Sequence, residues 1–364
     1  MKFKKEILIG IVMISVILIS ACVEEEEITP AVEEYRIKNE KLGIYVTPDV
    51  EENEIWPTAY SNALNKAKEG CFSTIWILVD WKDVEQKDGI YDWSVVDMRI
   101  NKAREKGFDV GIRTLIITTG NDEKGNFVSE LTIPEHVSQD MSSADFKQRT
   151  LKFYRELITR YEGKVKYIAI GNSVNDYFEH YPERWEGFKI VYPEIVDALH
   201  NIDPTIIIMG DLNYGEFFYS DKGKMQKYLD YFGSSNDDAF GFIFYFIDPV
   251  YYSDTKNFNK RTLSKVLDEM NQRTGDKKVY IIETAMFSKN PHTGEDWIEL
   301  QSDYVKMLLR TAPQKDFILG VSWFTLYDAK DLPFVPWDAK AGLGLFDANG
   351  NPKKAWEAWK VYAK

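Results

Sequence analysis

Ten side chains with the potential for binding or catalysis stand at the ends of apolar runs in this sequence. They are carboxylates, amides, aromatic rings, a hydroxyl group and a guanidinium, at Asp80, Trp81, Arg113, Asn172, Ser173, Asp211, Asn213, Tyr245, Glu283 and Trp323. Aromatic rings stack on the apolar faces of sugar rings, and planar polar groups pair with hydroxyl groups. The set therefore predicts a carbohydrate site. The sequence has neither a phosphate-binding glycine-rich loop nor a serine nucleophile elbow.

The composition narrows the classes of function further. The chain has 45 Lys and Arg against 58 Asp and Glu, a net charge of −13, whereas a nucleic-acid binder needs a basic face. Two cysteines and four scattered histidines match no zinc-site spacing, so we expect no metal and no organic cofactor. An apolar content of 44% excludes disorder for most of the chain.

Short apolar runs that position these side chains recur after residue 40. The eight runs are Gly43–Val46, Thr74–Val79, Val110–Leu115, Tyr167–Ile170, Ile206–Met209, Phe240–Phe246, Val279–Ile282 and Gly320–Phe324. Amphipathic segments with helical spacing lie between them, for example Thr58–Lys68, Ser94–Lys106, Ala144–Tyr161 and Leu300–Thr311. Strands that are apolar on both faces are typical of a parallel sheet covered by helices.

Eight strand–helix units predict a single (β/α)8 TIM barrel, an α/β fold, over residues 41–364. A doubly wound open sheet is the alternative. Its glycine-rich turn is missing after the first run, where the sequence reads Ile44-Tyr45-Val46-Thr47-Pro48. The active sites of TIM barrels lie at the carboxyl ends of the strands, so we expect the strand-end side chains to converge at one mouth.

The N-terminus has the features of an export signal. Lys2, Lys4 and Lys5 precede the apolar run Ile7–Ile19. This run is shorter than the roughly 20 residues that span a bilayer, which indicates a signal peptide over residues 1–21. Ile19-Ser20-Ala21-Cys22 resembles a lipobox, in which the cysteine is lipidated, and an ordinary signal peptide is the alternative.

The next segment, residues 22–40, is strongly acidic and predicts an extended tether. We therefore expect a secreted lipoprotein, anchored through Cys22 to the extracytoplasmic face of the cell membrane. If Cys22 carries lipid, Cys71 has no disulfide partner. We expect Cys71 to be a buried free thiol.

Four stretches near the predicted strand ends form an ordered series. They are Trp81–Glu85 with Asp88–Trp93, Ala169–Asn175, Val279–Thr284, and Gly342–Asp347 with Asn349–Trp356. Together they resemble the retaining glycoside hydrolases of clan A, the TIM-barrel β-glycosidase superfamily that includes β-galactosidases, galactanases, xylanases and cellulases. The order of the stretches is specific for the clan and not for one family within it.

The resemblance implies a retaining mechanism with two carboxyl groups about 5–5.5 Å apart. One attacks the anomeric carbon, and the other protonates the departing oxygen and later deprotonates water. Val279–Thr284 resembles the nucleophile motif, which implies that Glu283 is the nucleophile; a salt bridge at the barrel mouth is the alternative role. Asn172 matches the asparagine before the acid/base glutamate, which implies contact with the substrate 2-hydroxyl group.

Ser173 stands where the resemblance places the acid/base glutamate. A serine hydroxyl is not a general acid near neutral pH, and losing a general acid costs on the order of 10²–10⁴ in rate. Three explanations stay open. Asp176 or Glu179 supplies the proton from a shifted position, the protein is a sugar-binding pseudoenzyme, or Ser173 is an engineered replacement.

The other strand-end residues have two interpretations each. Tyr245 either orients the nucleophile or packs in the core. Trp323 either forms the floor of a sugar-binding subsite or packs in the core. Asp80 either binds a sugar hydroxyl or caps the loop after the second strand. Arg113 either pairs with the nucleophile, keeping it ionised, or bridges another strand-end acid. Asp211 is assigned to the substrate-binding set.

These observations predict a glycoside hydrolase-like protein that acts on a β-linked oligo- or polysaccharide. The alternative is a catalytically impaired carbohydrate-binding lipoprotein. Carbohydrate and the membrane are the expected partners, and nucleic acid is not. The sequence does not determine the sugar, endo or exo action, or the oligomeric state.

Overall fold

The computed structural model describes residues 41–46, 56–121, 127–215, 222–245, 260–290, 293–329 and 342–363. The predicted signal peptide, the tether and Cys22 lie outside these ranges, so their assignments stay predictions. Within these ranges, none of the helices combines the length and the apolar character needed to cross a membrane.

Ten strands are present in the described part of the chain. They are β1 Leu42–Tyr45, β2 Thr74–Val79, β3 Asp109–Thr114, β4 Ile117–Asn121, β5 Phe127–Leu131, β6 Tyr167–Ile170, β7 Ile207–Asn213, β8 Ala239–Ile243, β9 Lys278–Thr284 and β10 Ile318–Trp323. Eight of them close a barrel in the order β1-β2-β3-β6-β7-β8-β9-β10. Each neighbouring pair is parallel, including β1 with β10, where Leu42 lies opposite Val321.

The closed parallel barrel confirms the predicted TIM fold and excludes the open sheet. Helices alternate with the strands, as the sequence pattern indicates. They are α1 Trp56–Glu69, α2 Trp81–Val84, α3 Ser94–Glu105, α4 Ala144–Tyr161, α5 Val174–His180, α6 Trp185–Ile202, α7 Lys222–Ser234, α8 Lys260–Thr274, α9 Ile298–Thr311 and α10 Lys354–Tyr362. The start of α4 shows a local cause, since the Ser143 hydroxyl accepts a hydrogen bond from the Phe146 N–H at 3.1 Å.

A β-hairpin interrupts the strand–helix alternation and was not predicted. Its strands β4 and β5 pair antiparallel, from Ile117 opposite Leu131 to Asn121 opposite Phe127, and lie between barrel strands β3 and β6 in the chain. The hydroxyl group of Tyr181, just after α5, donates to the Ser129 carbonyl at 3.3 Å. The hairpin is therefore tied to the segment that follows β6.

Aromatic rings fill the barrel interior. Trp76 and Tyr167 lie 5.2 and 5.0 Å from Tyr280, measured between ring centroids. Glycines on neighbouring strands make room for them. A Cβ atom at Gly111 would come within 2.7 Å of the Trp76 ring, and one at Gly320 within 2.4 Å of the Tyr280 ring. The interior is thus a packed core.

The helix α10 covers the junction between the last and first parts of the barrel. Trp359 stacks on Phe72 at 4.5 Å, and its ring N–H donates to the Gly70 carbonyl at 2.9 Å. Cys71 lies in the same turn, with a left-handed φ of 57°, and is a free thiol. It is half-buried rather than fully buried as expected, because the turn after α1 holds it near the surface.

Candidate active site

A β-bulge directs Glu283 into the barrel mouth, the end at which the strands terminate. Tyr280 and Ile282 of β9 face the barrel interior, so a regular strand would turn Glu283 to the outer face. The pairing of β9 with β8 shifts by one residue here: Ile281 lies opposite Phe242, and Glu283 opposite Ile243. The extra residue turns the Glu283 side chain inward, which is a common use of bulges near active sites.

Arg113 connects three strand ends. Its Nε donates to Asp211 at 2.6 Å, its Nη1 donates to Glu283, and its Nη2 donates to the Asn172 side-chain oxygen at 2.9 Å. Burial opposes the charge, but the two carboxylates together hold the pKa of Arg113 well above its ordinary value. Arg113 therefore makes both of the contacts considered for it, because it pairs with Glu283 and also with a second strand-end acid, Asp211.

The second oxygen of the Glu283 carboxylate accepts a hydrogen bond from the Tyr245 hydroxyl at 2.5 Å. Tyr245 follows β8 and is half-buried. Arg113 and Tyr245 thus hold the two carboxylate oxygens from different sides, and both interact with negative charge. We call Arg113, Asn172, Asp211, Tyr245 and Glu283 the mouth cluster.

Asp211 lies inside the mouth cluster and has 0% exposed surface. One carboxylate oxygen pairs with Arg113, and the other accepts from the Ser173 backbone N–H at 3.0 Å. Burial raises the pKa of Asp211 to about 6, although Arg113 opposes this shift. Asp211 is fully buried and both of its oxygens accept hydrogen bonds within the protein, so the structure gives its assignment to substrate contact no support.

The turn after β6 places Asn172 and Ser173 beside this cluster. Gly171 and Ser173 both have left-handed backbones, with φ of 89° and 49°. The Ser173 hydroxyl donates to the Asn172 side-chain oxygen at 3.3 Å. That oxygen also accepts from Arg113, so the half-buried Asn172 has its side-chain N–H groups left as donors within the described structure.

The two acids proposed to replace the missing glutamate contact other elements. Asp176 accepts from the side-chain N–H groups of Asn175 at 3.2 Å and Asn213 at 2.8 Å. Glu179 accepts from the Tyr228 hydroxyl at 2.9 Å and pairs with Lys227 at 2.8 Å. Among the described residues, neither acid contacts Arg113 or Glu283.

Trp323 packs against the helices and does not line the mouth. Its ring has 0% exposure, lies 5.9 Å from the Trp359 ring, and donates to the Leu343 carbonyl at 2.9 Å. The interpretation as a sugar-subsite floor is therefore wrong, because the strand turns Trp323 outward. The next residue, Phe324, is half-buried and packs on Tyr45 at 5.2 Å, so it is the aromatic residue that β10 brings to the mouth.

Of the two roles considered for Asp80, the structure shows the capping role. Its side chain accepts from the Lys82 N–H at 3.1 Å at the start of α2. Burial, reinforced by the neighbouring Asp83, raises its pKa to about 6. This hydrogen bond shows how the loop after β2 is held and gives no indication of sugar contact.

One group of side chains has metal-like spacing outside the mouth cluster. Potential ligand atoms of Glu85, Asp88 and His136 lie within 4.8 Å of one another. The Glu85 carboxylate already accepts from the Trp81 ring N–H at 2.6 Å and the Gly89 N–H at 2.7 Å. Asp88 is paired with Arg149. These contacts hold the loop after β2 and leave little free ligand capacity.

No protein-family model and no curated protein matches the chain. Solved structures do match. A family 39 glycoside hydrolase from the gut symbiont Bacteroides cellulosilyticus WH2 aligns with a TM-score of 0.58 and 17% identity over 91% of this chain and 64% of that chain. The chain thus spans slightly less than two thirds of that protein.

Two further matches have similar statistics. A GH5_18 variant from Streptomyces cattleya in complex with Manβ1-4GlcNAc aligns with a TM-score of 0.69 and 14% identity, over 89% of this chain and 80% of that chain. The exo-β-1,4-mannosidase Op5Man5 from Opitutaceae bacterium strain TAV5 aligns with a TM-score of 0.63 and 15% identity, over 89% and 59%. At such identities the likeness to β-glycoside hydrolases of GH5 and GH39 is one of fold.

Proposed function

We propose that this protein is a retaining glycoside hydrolase-like enzyme for a β-linked oligo- or polysaccharide, with Glu283 as nucleophile. One observation carries the proposal: the Glu283 carboxylate, aimed inward by the bulge, is held by Arg113 and Tyr245 beside the Asn172 amide, whose N–H groups have no partner among the described residues. A carboxylate fixed by donors at the carboxyl end of a TIM barrel suits nucleophilic attack on a sugar.

The residues of the mouth cluster divide the work between chemistry and positioning. The Glu283 carboxylate forms a bond to the anomeric carbon while the bond to the leaving oxygen breaks, and water then hydrolyses the glycosyl ester. Asn172 donates to a sugar hydroxyl group. Arg113 and Asp211 are positioning residues, since both are buried. Ser173 supplies no proton, so the leaving group departs as an anion, which is fast only when its conjugate acid has a low pKa.

We choose the first substrate class to test from the neighbours in fold. The Streptomyces protein is described in complex with Manβ1-4GlcNAc, and the Opitutaceae protein is an exo-β-1,4-mannosidase. We extend the β-1,4-mannosyl linkage to this chain as the first substrate to test. β-1,4-Glucosyl and β-1,4-galactosyl compounds are the next.

The experiment uses an activated aryl glycoside, such as dinitrophenyl β-mannoside, because a good leaving group needs no proton. We expect slow turnover by the wild-type protein. Glu283→Gln should lower it by roughly 10³-fold or more, since the nucleophile is lost. Glu85→Gln is the matched control, because Glu85 is also buried but holds a loop. Turnover that survives in Glu283→Gln, or that is absent for every aryl glycoside, contradicts the proposal.

A second variant tests position 173. Ser173→Glu should raise hydrolysis of unactivated disaccharides by on the order of 10²–10⁴, the usual contribution of a general acid. Asp176→Asn addresses the relocated acid: loss of the wild-type activity on unactivated substrates would identify Asp176 as the proton donor. A Ser173→Glu protein that folds and binds sugar without any gain would show that position 173 is misassigned.

A carbohydrate-binding protein without turnover is the second candidate. It is favoured by Ser173 itself and by the hydrogen bonds from Asn175 and Asn213 to the Asp176 carboxylate. Oligosaccharide binding by calorimetry, with no turnover of any aryl glycoside, would select this candidate.

We also propose that the protein is a lipoprotein attached through Cys22 to the extracytoplasmic face of the membrane. The support is the sequence alone: the apolar run Ile7–Ile19 followed by Ser20-Ala21-Cys22. Metabolic labelling with a fatty acid should mark the wild-type protein and not Cys22→Ser. Equal labelling of both would exclude this anchor.

A further inference from the structure

Tyr45 lies beside the mouth cluster but has no assigned role. It ends β1, whereas Arg113, Asp211 and Glu283 come from β3, β7 and β9, which are alternate strands of the barrel. In TIM barrels, alternate strands contribute the four side chains of one interior layer. The charges of all three residues act on the Tyr45 phenol. Tyr45 is thus the fourth member of this layer.

The Tyr45 hydroxyl is a buried donor without an acceptor in the described part of the chain. The residue is 3% exposed, and none of the described residues forms a hydrogen bond with its oxygen. Burial raises the pKa of Tyr45 well above its ordinary value, so the phenol stays protonated. A donor left unpaired in the interior lowers stability, and such groups are rare enough in folded proteins that each asks for a cause.

A second tyrosine of the barrel interior provides the contrast. The Tyr280 hydroxyl accepts from the Trp76 ring N–H and the Ser322 hydroxyl, both at 3.4 Å. Tyr280 is 1% exposed, so its burial matches that of Tyr45. The difference between the two lies in their surroundings: only Tyr45 adjoins the two carboxylates of the mouth cluster.

We propose that Tyr45 is a positioning residue, which donates a hydrogen bond to the Glu283 carboxylate once a carbohydrate occupies the mouth. In the free protein, Tyr245 and Arg113 take the two oxygens of Glu283. Tyr245 is the half-buried donor of the two, so a sugar oxygen reaches it first. A sugar that accepts from Tyr245 releases one oxygen of Glu283 for Tyr45.

The new hydrogen bond exists only in the bound state and therefore adds to ligand affinity. In the free protein the buried Tyr45 hydroxyl has no such hydrogen bond, which lowers the free energy of unfolding. Removing the hydroxyl should therefore change stability and affinity in opposite directions. This inference rests on the proposed function, because it needs a carbohydrate at Glu283.

The test compares Tyr45→Phe with Tyr280→Phe in the whole protein. The probes are Manβ1-4GlcNAc, cellobiose and β-1,4-galactobiose, and affinity is measured by titration calorimetry. We expect Tyr45→Phe to unfold at the wild-type temperature or higher, and to bind the tightest probe about tenfold more weakly. Tyr280→Phe should unfold at a lower temperature and bind like the wild type. With an aryl glycoside, kcat should fall for Tyr45→Phe alone.

The outcomes separate this inference from the proposed function. If the wild-type protein binds a probe and Tyr45→Phe binds it equally well, the inference is wrong while the proposed function stands. If Tyr45→Phe unfolds more easily or fails to fold, its hydroxyl has a structural partner, and the inference is again wrong. If the wild-type protein binds no probe and turns over no aryl glycoside, both the proposed function and this inference are wrong.

Discussion

Two buried ion clusters lie at opposite ends of the barrel. The mouth cluster is at the carboxyl ends of the strands. At the amino ends, just before β8 and β9, Asp237 pairs with Lys277 at 2.7 Å and accepts from the Tyr192 hydroxyl at 2.8 Å. Lys277 also donates to the carbonyls of Phe232 at 2.5 Å and Ser235 at 3.0 Å. We call Asp237, Lys277 and Tyr192 the base cluster.

The clusters differ in charge balance and in hydrogen-bond satisfaction. The base cluster has one carboxylate for one ammonium, and the Lys277 ammonium donates to three oxygens. The mouth cluster has two carboxylates for one guanidinium and a left-handed serine beside it. The neighbouring Tyr45 phenol has no hydrogen-bond partner among the described residues. A fully satisfied cluster contributes to stability, whereas unused bonding capacity at the mouth is available to a ligand.

The largest effects should come from removing the cation of each cluster. Arg113→Met and Lys277→Met each leave buried carboxylate charge without its partner, which costs about 3–5 kcal/mol of unfolding free energy. The variants should differ in function: Arg113→Met loses sugar binding and turnover, and Lys277→Met keeps both in its folded fraction. Urea unfolding and calorimetry measure the two properties.

These two variants test whether the mouth cluster serves sugar binding while the base cluster serves only stability. A Lys277→Met protein with the wild-type unfolding free energy would show that the base cluster does not stabilise the fold. A loss of sugar affinity in folded Lys277→Met, equal to that in Arg113→Met, would remove the distinction between the two ends.

A smaller effect should appear in the pH dependence of stability through Asp211. Burial raises its pKa from 3.8 to about 6, so the folded state binds this proton more tightly than the unfolded state does. Its contribution to stability is present below pH 3.8 and is lost as the pH rises through about 6. Relative to Asp211→Asn, the wild-type protein should lose on the order of 3 kcal/mol between pH 4 and pH 7.

Urea unfolding of both proteins across this pH range provides the measurement. Parallel curves for the wild type and Asp211→Asn would mean that Asp211 titrates alike in both states. That result would contradict the account of the mouth as an end where charge is held at a cost to stability.

The smallest effect concerns the backbone at Ser173. Left-handed conformation costs a non-glycine residue about 1–2 kcal/mol, and glycine adopts it freely. Because glycine also has more freedom when unfolded, Ser173→Gly should raise the unfolding free energy by about 0.5–1 kcal/mol. Ser143→Gly is the control with the opposite sign, since Ser143 has an ordinary φ of −73° and caps α4. Thermal unfolding of both variants is the measurement, and a destabilised Ser173→Gly would show that this turn is unstrained.

The sequence was sufficient for the barrel because each strand carries its own apolar signal. All eight predicted runs overlap barrel strands, with ends displaced by a few residues. The hairpin β4–β5 was missed because its first strand directly continues the third apolar run and its pairing partner lies ten residues on. Hairpin pairing depends on contacts that a single run does not encode.

The candidate site was predictable in its location and not in its side-chain directions. Trp323 was the candidate for the mouth, but it packs outward and Phe324 contacts Tyr45 instead, because a shift of one residue along a strand turns a side chain to the other face. Asp211 was assigned to ligand because spacing does not distinguish a buried ion pair from an exposed carboxylate. The bulge at Glu283 lies in the pairing register of three strands, which local sequence does not specify.

The closure of the barrel has a consequence for the order of events during synthesis. β1 pairs with β10, and Trp359 donates to the Gly70 carbonyl across 289 positions of sequence. A nascent chain therefore exposes the free edge of β1 until the residues from β10 to α10 have left the ribosome. We therefore expect chaperones to protect that edge from aggregation during most of translation.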